Sequence, residues 1–98
     1  MSTAAPSRRV AFVGTGNIAR AHAEALKLAG LGAPALVHDA SAVQARAFAQ
    51  AWGARPVDSL DALLAEPEVG VVHVLTPPES HAAIARRVLE AGKHVLVE

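Results

Sequence analysis

Apolar positions follow two alternating patterns along the chain. Short runs rich in Val, Leu and Phe, at residues 9–13, 33–38, 69–75 and 94–97, are bounded by Gly, Pro, Ser or Asp and predict strands. Between them, apolar residues recur three and four apart and predict helices over 17–29, 41–52, 59–65 and 78–91. In the first helix the expected buried face is Ile18, Ala21, Ala25, Leu26 and Ala29, with Gly30 closing it. The second carries a capping box, Ser41 with Gln44, and stops at Gly53. Ser59 caps the third, and Gly92 ends the fourth. Residues 55–57 allow only a short edge strand, because Pro56 has no N–H to donate.

The nearly unbroken Val-Gly-Val-Val-His-Val-Leu run at 69–75 is typical of a strand buried on both faces. The order β-α-β-α-β-α-β-α-β predicts an α/β fold: a Rossmann-like parallel sheet of order 3-2-1-4-5 with helices on both faces, incomplete towards its C-terminal side. Residues 1–8 are expected to be a flexible N-terminal tail, and residues 9–98 a single domain.

Composition narrows the function. Of the 98 residues, 52% are hydrophobic, Ala foremost, with Phe12, Phe48 and Trp52 the only aromatics apart from histidine. Such small side chains suit helices packed closely on a sheet. Lys plus Arg equals Asp plus Glu, so the net charge is zero, which argues against nucleic acid or an anionic membrane as partner. The pairs Arg8-Arg9 and Arg86-Arg87 are read as solvated faces. No cysteine is present, so disulfides, thiolate catalysis and Cys-based zinc sites are excluded. The chain has no apolar run near the ~18 residues of a membrane span and no signal-peptide pattern at its start, so a cytoplasmic protein is expected. His22, His38, His73 and His94 lack the paired helical spacing of a metal site and are read as structural.

Chemistry enters with Gly14-Thr15-Gly16-Asn17-Ile18-Ala19, a G-x-G-x-x-A motif between the first strand and first helix. Gly14 permits the tight turn, Gly16 lets a diphosphate approach the backbone, and Ala19 allows close helix–strand packing. Free N–H groups at the helix start, aided by its dipole, attract the phosphates. A glycine turn without ligand is the bland alternative. Asp39 ends the second strand, about 20 residues on, where an acidic group binds the adenosine ribose. It would repel a 2′-phosphate, and no Arg occurs among Ala40, Ser41, Ala42 and Val43, so NAD is favoured over NADP. Asp39 could otherwise merely begin the next turn.

Leu75-Thr76-Pro77-Pro78-Glu79-Ser80-His81 follows the fourth strand. Thr76 with Glu79 fits a capping box, with proline in the first turn. In the expected strand order this loop also faces the Gly14 loop across the switch point where ligands bind, so Leu75, Thr76 and Pro77 would form the second wall of one crevice. His81 would lie a turn further on, near the cofactor. Gly14, Asp39, Thr76 and Glu98 all fall at carboxyl ends of strands.

These residues resemble the Gfo/Idh/MocA oxidoreductases. The resemblance runs from about Arg9 to Glu98 and rests on Val10-Ala-Phe-Val-Gly-Thr-Gly-Asn-Ile-Ala-Arg-Ala-His22, Thr76-Pro-Pro-Glu-Ser-His81 and Ala91-Gly-Lys-His-Val-Leu-Val-Glu98. It implies a Rossmann domain binding NAD or NADP, followed by a larger α/β domain that holds most of the substrate site and mediates homo-oligomerisation. It places Gly14, Gly16 and Ile18 at the pyrophosphate, Asp39 at the adenosine ribose, Thr76, Pro77 and His81 beside the cofactor, and Glu98 near the nicotinamide ribose. The implied reaction moves a hydride between nicotinamide C4 and a hydroxyl-bearing carbon of a sugar or cyclitol. The family's catalytic Lys follows the Glu, whereas nothing follows Glu98, and Gly70 replaces a common Asp. The chain is therefore expected to be a fragment, inactive alone. The rivals are a non-catalytic NAD(P) sensor or corepressor-like module, and a methyltransferase using S-adenosylmethionine.

Overall fold

The computed structural model describes residues 9–98, so the expected tail at 1–8 lies outside the described residues. Five strands form one parallel sheet of order β3-β2-β1-β4-β5, as the alternation predicts. They are β1 (Arg9–Val13), β2 (Leu36–His38), β3 (Arg55–Pro56), β4 (Val69–Val74) and β5 (His94–Val97). The helices are α1 (Asn17–Leu28), α2 (Ala42–Trp52), α3 (Leu60–Leu64) and α4 (His81–Glu90), the last preceded by a 3-10 turn over Pro78–Ser80.

Because side chains alternate along a strand, each strand feeds two cores. Ala11, Val13, Leu36, Val72 and Val74 pack with Leu63 of α3 and Val88 of α4. Phe12, Val37 and Leu75 pack with Ala19, Ala23 and Leu26 of α1 and Ala49 of α2. Thus α1 and α2 cover one face and α3 and α4 the other. Ala19 and Ala23 are wholly buried, and their small side chains bring α1 close to the sheet.

That burial corrects the expected face of α1. Of the five positions chosen, only Leu26 is buried, whereas Ile18, Ala21, Ala25 and Ala29 are exposed. Alanine makes α1 apolar on two sides, so periodicity could not choose between them. The short turn from β1 turns Ala19 inward and Ile18 outward.

The elements also differ from expectation in detail. Strand β2 begins at Leu36 and not at 33, since Gly32 has a positive φ of 77° and Pro34 offers no N–H. The fourth helix begins as the 3-10 turn. Thr76 does not cap it, because its hydroxyl meets Ser80 Oγ at 2.6 Å, and neither the turn nor α4 has a side-chain cap. The register shifts between Arg9 and Val10 opposite Gly70, a local irregularity where β4 starts.

Lys93, in the Ala-Gly-Lys-His segment, has a structural task. Its ammonium donates to the carbonyls of Glu66 (2.9 Å) and Val69 (2.6 Å), tying the start of β5 to the start of β4.

Val13 stands beside His38 and Val74, and Val74 beside Val97. Four strands therefore end in one row. Gly14, Asp39, Leu75 and Glu98 come immediately after those positions, all on the same rim of the sheet.

Candidate functional site

Between β1 and β4 the direction of strand order reverses, and a cavity of about 720 Å³ opens over the rim. This volume lies within the ~300–1,000 Å³ usual for small-molecule sites. From the β1–α1 loop it is lined by Gly14, Thr15, Gly16, Asn17 and Ile18, and from the β2–α2 loop by His38, Asp39 and Ala40. Val13, Gln44, Leu60, Leu75, Thr76, Pro77, Ser80 and Ile84 complete it. Nine of the eleven expected site residues meet here, and His81 and Glu98 do not.

The two motif glycines differ physically. Gly14 has φ +102°, and an added Cβ would lie 2.7 Å from the Leu75 carbonyl carbon and 2.8 Å from its oxygen. Its N–H donates to the His38 carbonyl at 2.8 Å. Gly14 is thus required by the fold, where the glycine turn presses on the backbone leaving β4. Gly16 has φ −79° and ψ −160°, which any residue adopts, and beyond its chain neighbours no described atom lies within 4 Å of where its Cβ would be. It occupies the N-cap of α1 with no side chain satisfying the helix N–H groups. By contrast, Ser41 caps α2 by accepting from the Gln44 N–H, and Ser59 caps α3 by accepting from the Ala62 N–H. The fold itself does not explain glycine at 16, which leaves those amides facing open space.

Asp39 faces the glycine turn. Its Oδ2 accepts from the N–H (2.8 Å) and hydroxyl (2.9 Å) of Thr15, and its Oδ1 from the N–H of Ser41 (2.8 Å). Ser41 N–H is therefore satisfied by Asp39, and the reciprocal half of the expected capping box is taken over by the carboxylate. Burial alone would raise the Asp39 pKa. The bonds from Ser41 and Thr15, with nearby His38, outweigh it and hold the carboxyl below the ordinary value. A carboxylate has about four acceptor positions, so after three bonds one remains for a ligand hydroxyl.

In the opposite wall Ser80 Oγ donates to the Pro77 carbonyl at 2.8 Å, so Thr76 must donate to Ser80, which leaves the Thr76 oxygen an acceptor. His81 donates from Nε2 to the Thr76 carbonyl, and so braces this wall from behind. The sequence reading missed Ser80 and Ile84. Their spacing of four along the turn and α4, after Thr76, is the signal that places them on one side.

Glu98 lies in a neighbouring hollow with His22 and His73, and Ile18 is the wall common to both hollows. His73 is 9% exposed and stacks on Phe12 at 5.2 Å. Burial, and then the neighbouring His22, push its pKa from the ordinary 6.5 to about 4, with Glu98 opposing. Folding therefore favours the neutral ring. The corresponding stability is full above about pH 6.5 and is lost as pH falls towards 4; integration gives a loss of about 2.5 kcal/mol near pH 4.5. Urea unfolding at neutral pH and near that value, for wild type and His73→Gln, measures it. An equal loss in both proteins would assign the effect to other groups.

A Rossmann-type sheet with a glycine turn, an acidic strand end and a crevice at the switch point defines a dinucleotide-binding domain. Residues 8–98 match the model of an oxidoreductase family described as an NAD-binding Rossmann fold, and the chain belongs to this Gfo/Idh/MocA family. It is 38% identical over 90 residues to UDP-N-acetylglucosamine 3-dehydrogenase of Acidithiobacillus ferrooxidans, covering 92% of this chain and 28% of that protein. Among solved structures it resembles GenD2 from gentamicin A biosynthesis in complex with NAD (TM-score 0.87, 35% identity, 98% of this chain and 28% of that one). It also resembles the biliverdin reductase of Synechocystis with biliverdin and NADP+ (TM-score 0.82, 36% identity, 91% and 28%). The chain thus spans under a third of the length of these relatives. No helix among the described residues is long and apolar enough to cross a membrane.

Proposed function

We propose that the crevice binds NAD in preference to NADP, and that this domain is the cofactor-holding part of a longer oxidoreductase acting on a sugar- or cyclitol-like alcohol. The observation that carries this reading is Gly16: a backbone any residue could adopt, open space where its side chain would be, and helix amides with no cap. The amides near residues 16–18 receive the diphosphate, and the α1 dipole adds to the attraction. Asp39 accepts from an adenosine ribose hydroxyl, already oriented by Thr15 and Ser41. It disfavours a 2′-phosphate, and residues 40–43 supply no cation to offset that. Thr76, Pro77 and Leu75 bound the crevice on the β4 side and Ile18 on the α1 side. The bound nicotinamide would supply hydride transfer, and this chain would supply placement and electrostatics.

The substrate class follows from the sugar-nucleotide dehydrogenase among the relatives. The substrate-binding domain, cytoplasmic location and homo-oligomeric state of the longer protein belong to the same proposal.

Titration of the chain with NADH and NADPH, followed by nicotinamide fluorescence, tests the reading. NADH is expected to bind the more tightly. Asp39→Ser should weaken NADH by about tenfold or more, as loss of a charge-assisted hydrogen bond implies, and close the gap to NADPH. A folded chain that ignores both cofactors would overturn the proposal.

A further inference from the structure

The hollow beside the crevice is apolar except for three groups. Ile18, Ala21, Ala25 and Leu26 of α1 and Leu96 of β5 form its walls, while His22, His73 and Glu98 are its titratable members. His22 Nδ1 and His73 Nδ1 are 2.8 Å apart, so one carries a proton towards the other. His22 Nε2 lies 3.5 Å from a carboxylate oxygen of Glu98. Phe12, on β1, packs against both rings, at 6.1 Å from His22 and 5.2 Å from His73, and adds no charge. One arrangement of protons satisfies all these contacts. His73 donates from Nδ1 to His22 Nδ1, and His22 directs its Nε2–H at the Glu98 carboxylate.

Topology says what that carboxylate faces. If Asp39 at the end of β2 holds the adenosine ribose and the Gly16 amides hold the diphosphate, the dinucleotide runs across β1 towards β4 and β5. Its nicotinamide end then approaches the rim beyond Ile18, where Glu98 stands. Oxidised nicotinamide carries a positive charge on its ring, and the reduced ring carries none.

We propose that Glu98 and His22, backed by His73, set the preference of this site between oxidised and reduced cofactor and make it depend on pH. This rests on the cofactor placement proposed above. With His22 neutral, the Glu98 charge is uncompensated and attracts the oxidised ring. With His22 protonated, the pair is neutral and the attraction is lost, while the reduced cofactor is unaffected. His22 then carries protons on both nitrogens. The shared bond reverses: the Nδ1 proton of His73 passes to His22, and the proton taken up replaces it on His73 Nε2, so His73 stays neutral. Histidine is the side chain that changes charge between about pH 5 and 8. His73 stays neutral through most of that window, since burial and His22 push it down to about 4. His22 is a positioning residue here, acting through Glu98.

The test measures dissociation constants of NAD+ and NADH, by competition and by fluorescence, from about pH 8 to about pH 5.5. The NAD+ affinity relative to NADH is expected to fall about two- to fivefold on acidification, the range of a partly exposed charge pair. The change should vanish in Glu98→Gln, which alters a half-exposed side chain, and in His22→Gln. Any pH dependence common to wild type and both variants arises outside this array, where His38 lines the crevice and His81 stands behind its wall. Imidazole nitrogen NMR gives a second readout: on acidification His73 is expected to stay neutral while its proton moves from Nδ1 to Nε2, and this change should be absent in His22→Gln. A pH-independent ratio, or a shift that survives Glu98→Gln, would overturn this proposal and leave the cofactor site standing. Failure of the folded chain to bind either cofactor would overturn the placement and this proposal with it.

Discussion

Changing Gly16 to aspartate is expected to yield a protein at least as stable as the original and unable to bind dinucleotides. The backbone at position 16 is already that of an N-cap, with φ −79° and ψ −160°, and beyond its chain neighbours the new side chain meets no described atom within 4 Å of its Cβ. An aspartate there accepts from the first amides of α1 and complements its dipole, adding about 0.5–1 kcal/mol. Those amides are the ones the diphosphate needs. The carboxylate would occupy them and repel the phosphates as well. Loss of two hydrogen bonds to a charged group, at about 1.5 kcal/mol or more each, weakens binding at least ~100-fold. Thermal unfolding and NADH titration on the same sample measure both effects. Retained NADH binding would show that the diphosphate lies elsewhere.

Gly14→Ala should do the opposite and damage the fold itself. A methyl group at φ +102° is strained at about 1–3 kcal/mol, and it would sit 2.7–2.8 Å from the Leu75 carbonyl. Backbone on both sides leaves no flexible side chain to move aside, so overpacking adds a further ~1–3 kcal/mol. A total near 4 kcal/mol is a large share of the ~5–15 kcal/mol that stabilises a typical domain. Urea unfolding should register most of it, with the cavity lost in parallel. A loss below about 1 kcal/mol would mean that the Leu75 backbone yields easily.

The contrast between these glycines marks what the sequence could reveal. The motif pointed to both, and it assigned the turn to Gly14 and the ligand to Gly16. It did not contain the contact between Gly14 and Leu75, 61 positions away in the chain. The strand order was legible because short apolar runs alternated with helical spacing, and Asp39 was legible because β2 has a clear end. The buried face of α1 was not, because alanine occupies both of its sides. The Thr76 cap failed for another reason: a hydroxyl competes for partners, and Ser80 is nearer in space than pattern matching allows for. His22 and His73 were each identified as structural. Their pairing, and its adjacency to Glu98, arises only when α1, β4 and β5 are laid side by side.

The tie from Lys93 to the Glu66 and Val69 carbonyls has a practical consequence. The chain has two lysines, and this one has its amine engaged. Of the two lysines, amine-reactive chemistry therefore favours exposed Lys27, in the last turn of α1, which runs back from the crevice to the opposite rim of the sheet. Protein coupled to a biosensor surface through that side chain would stand with its mouth towards the flowing solution.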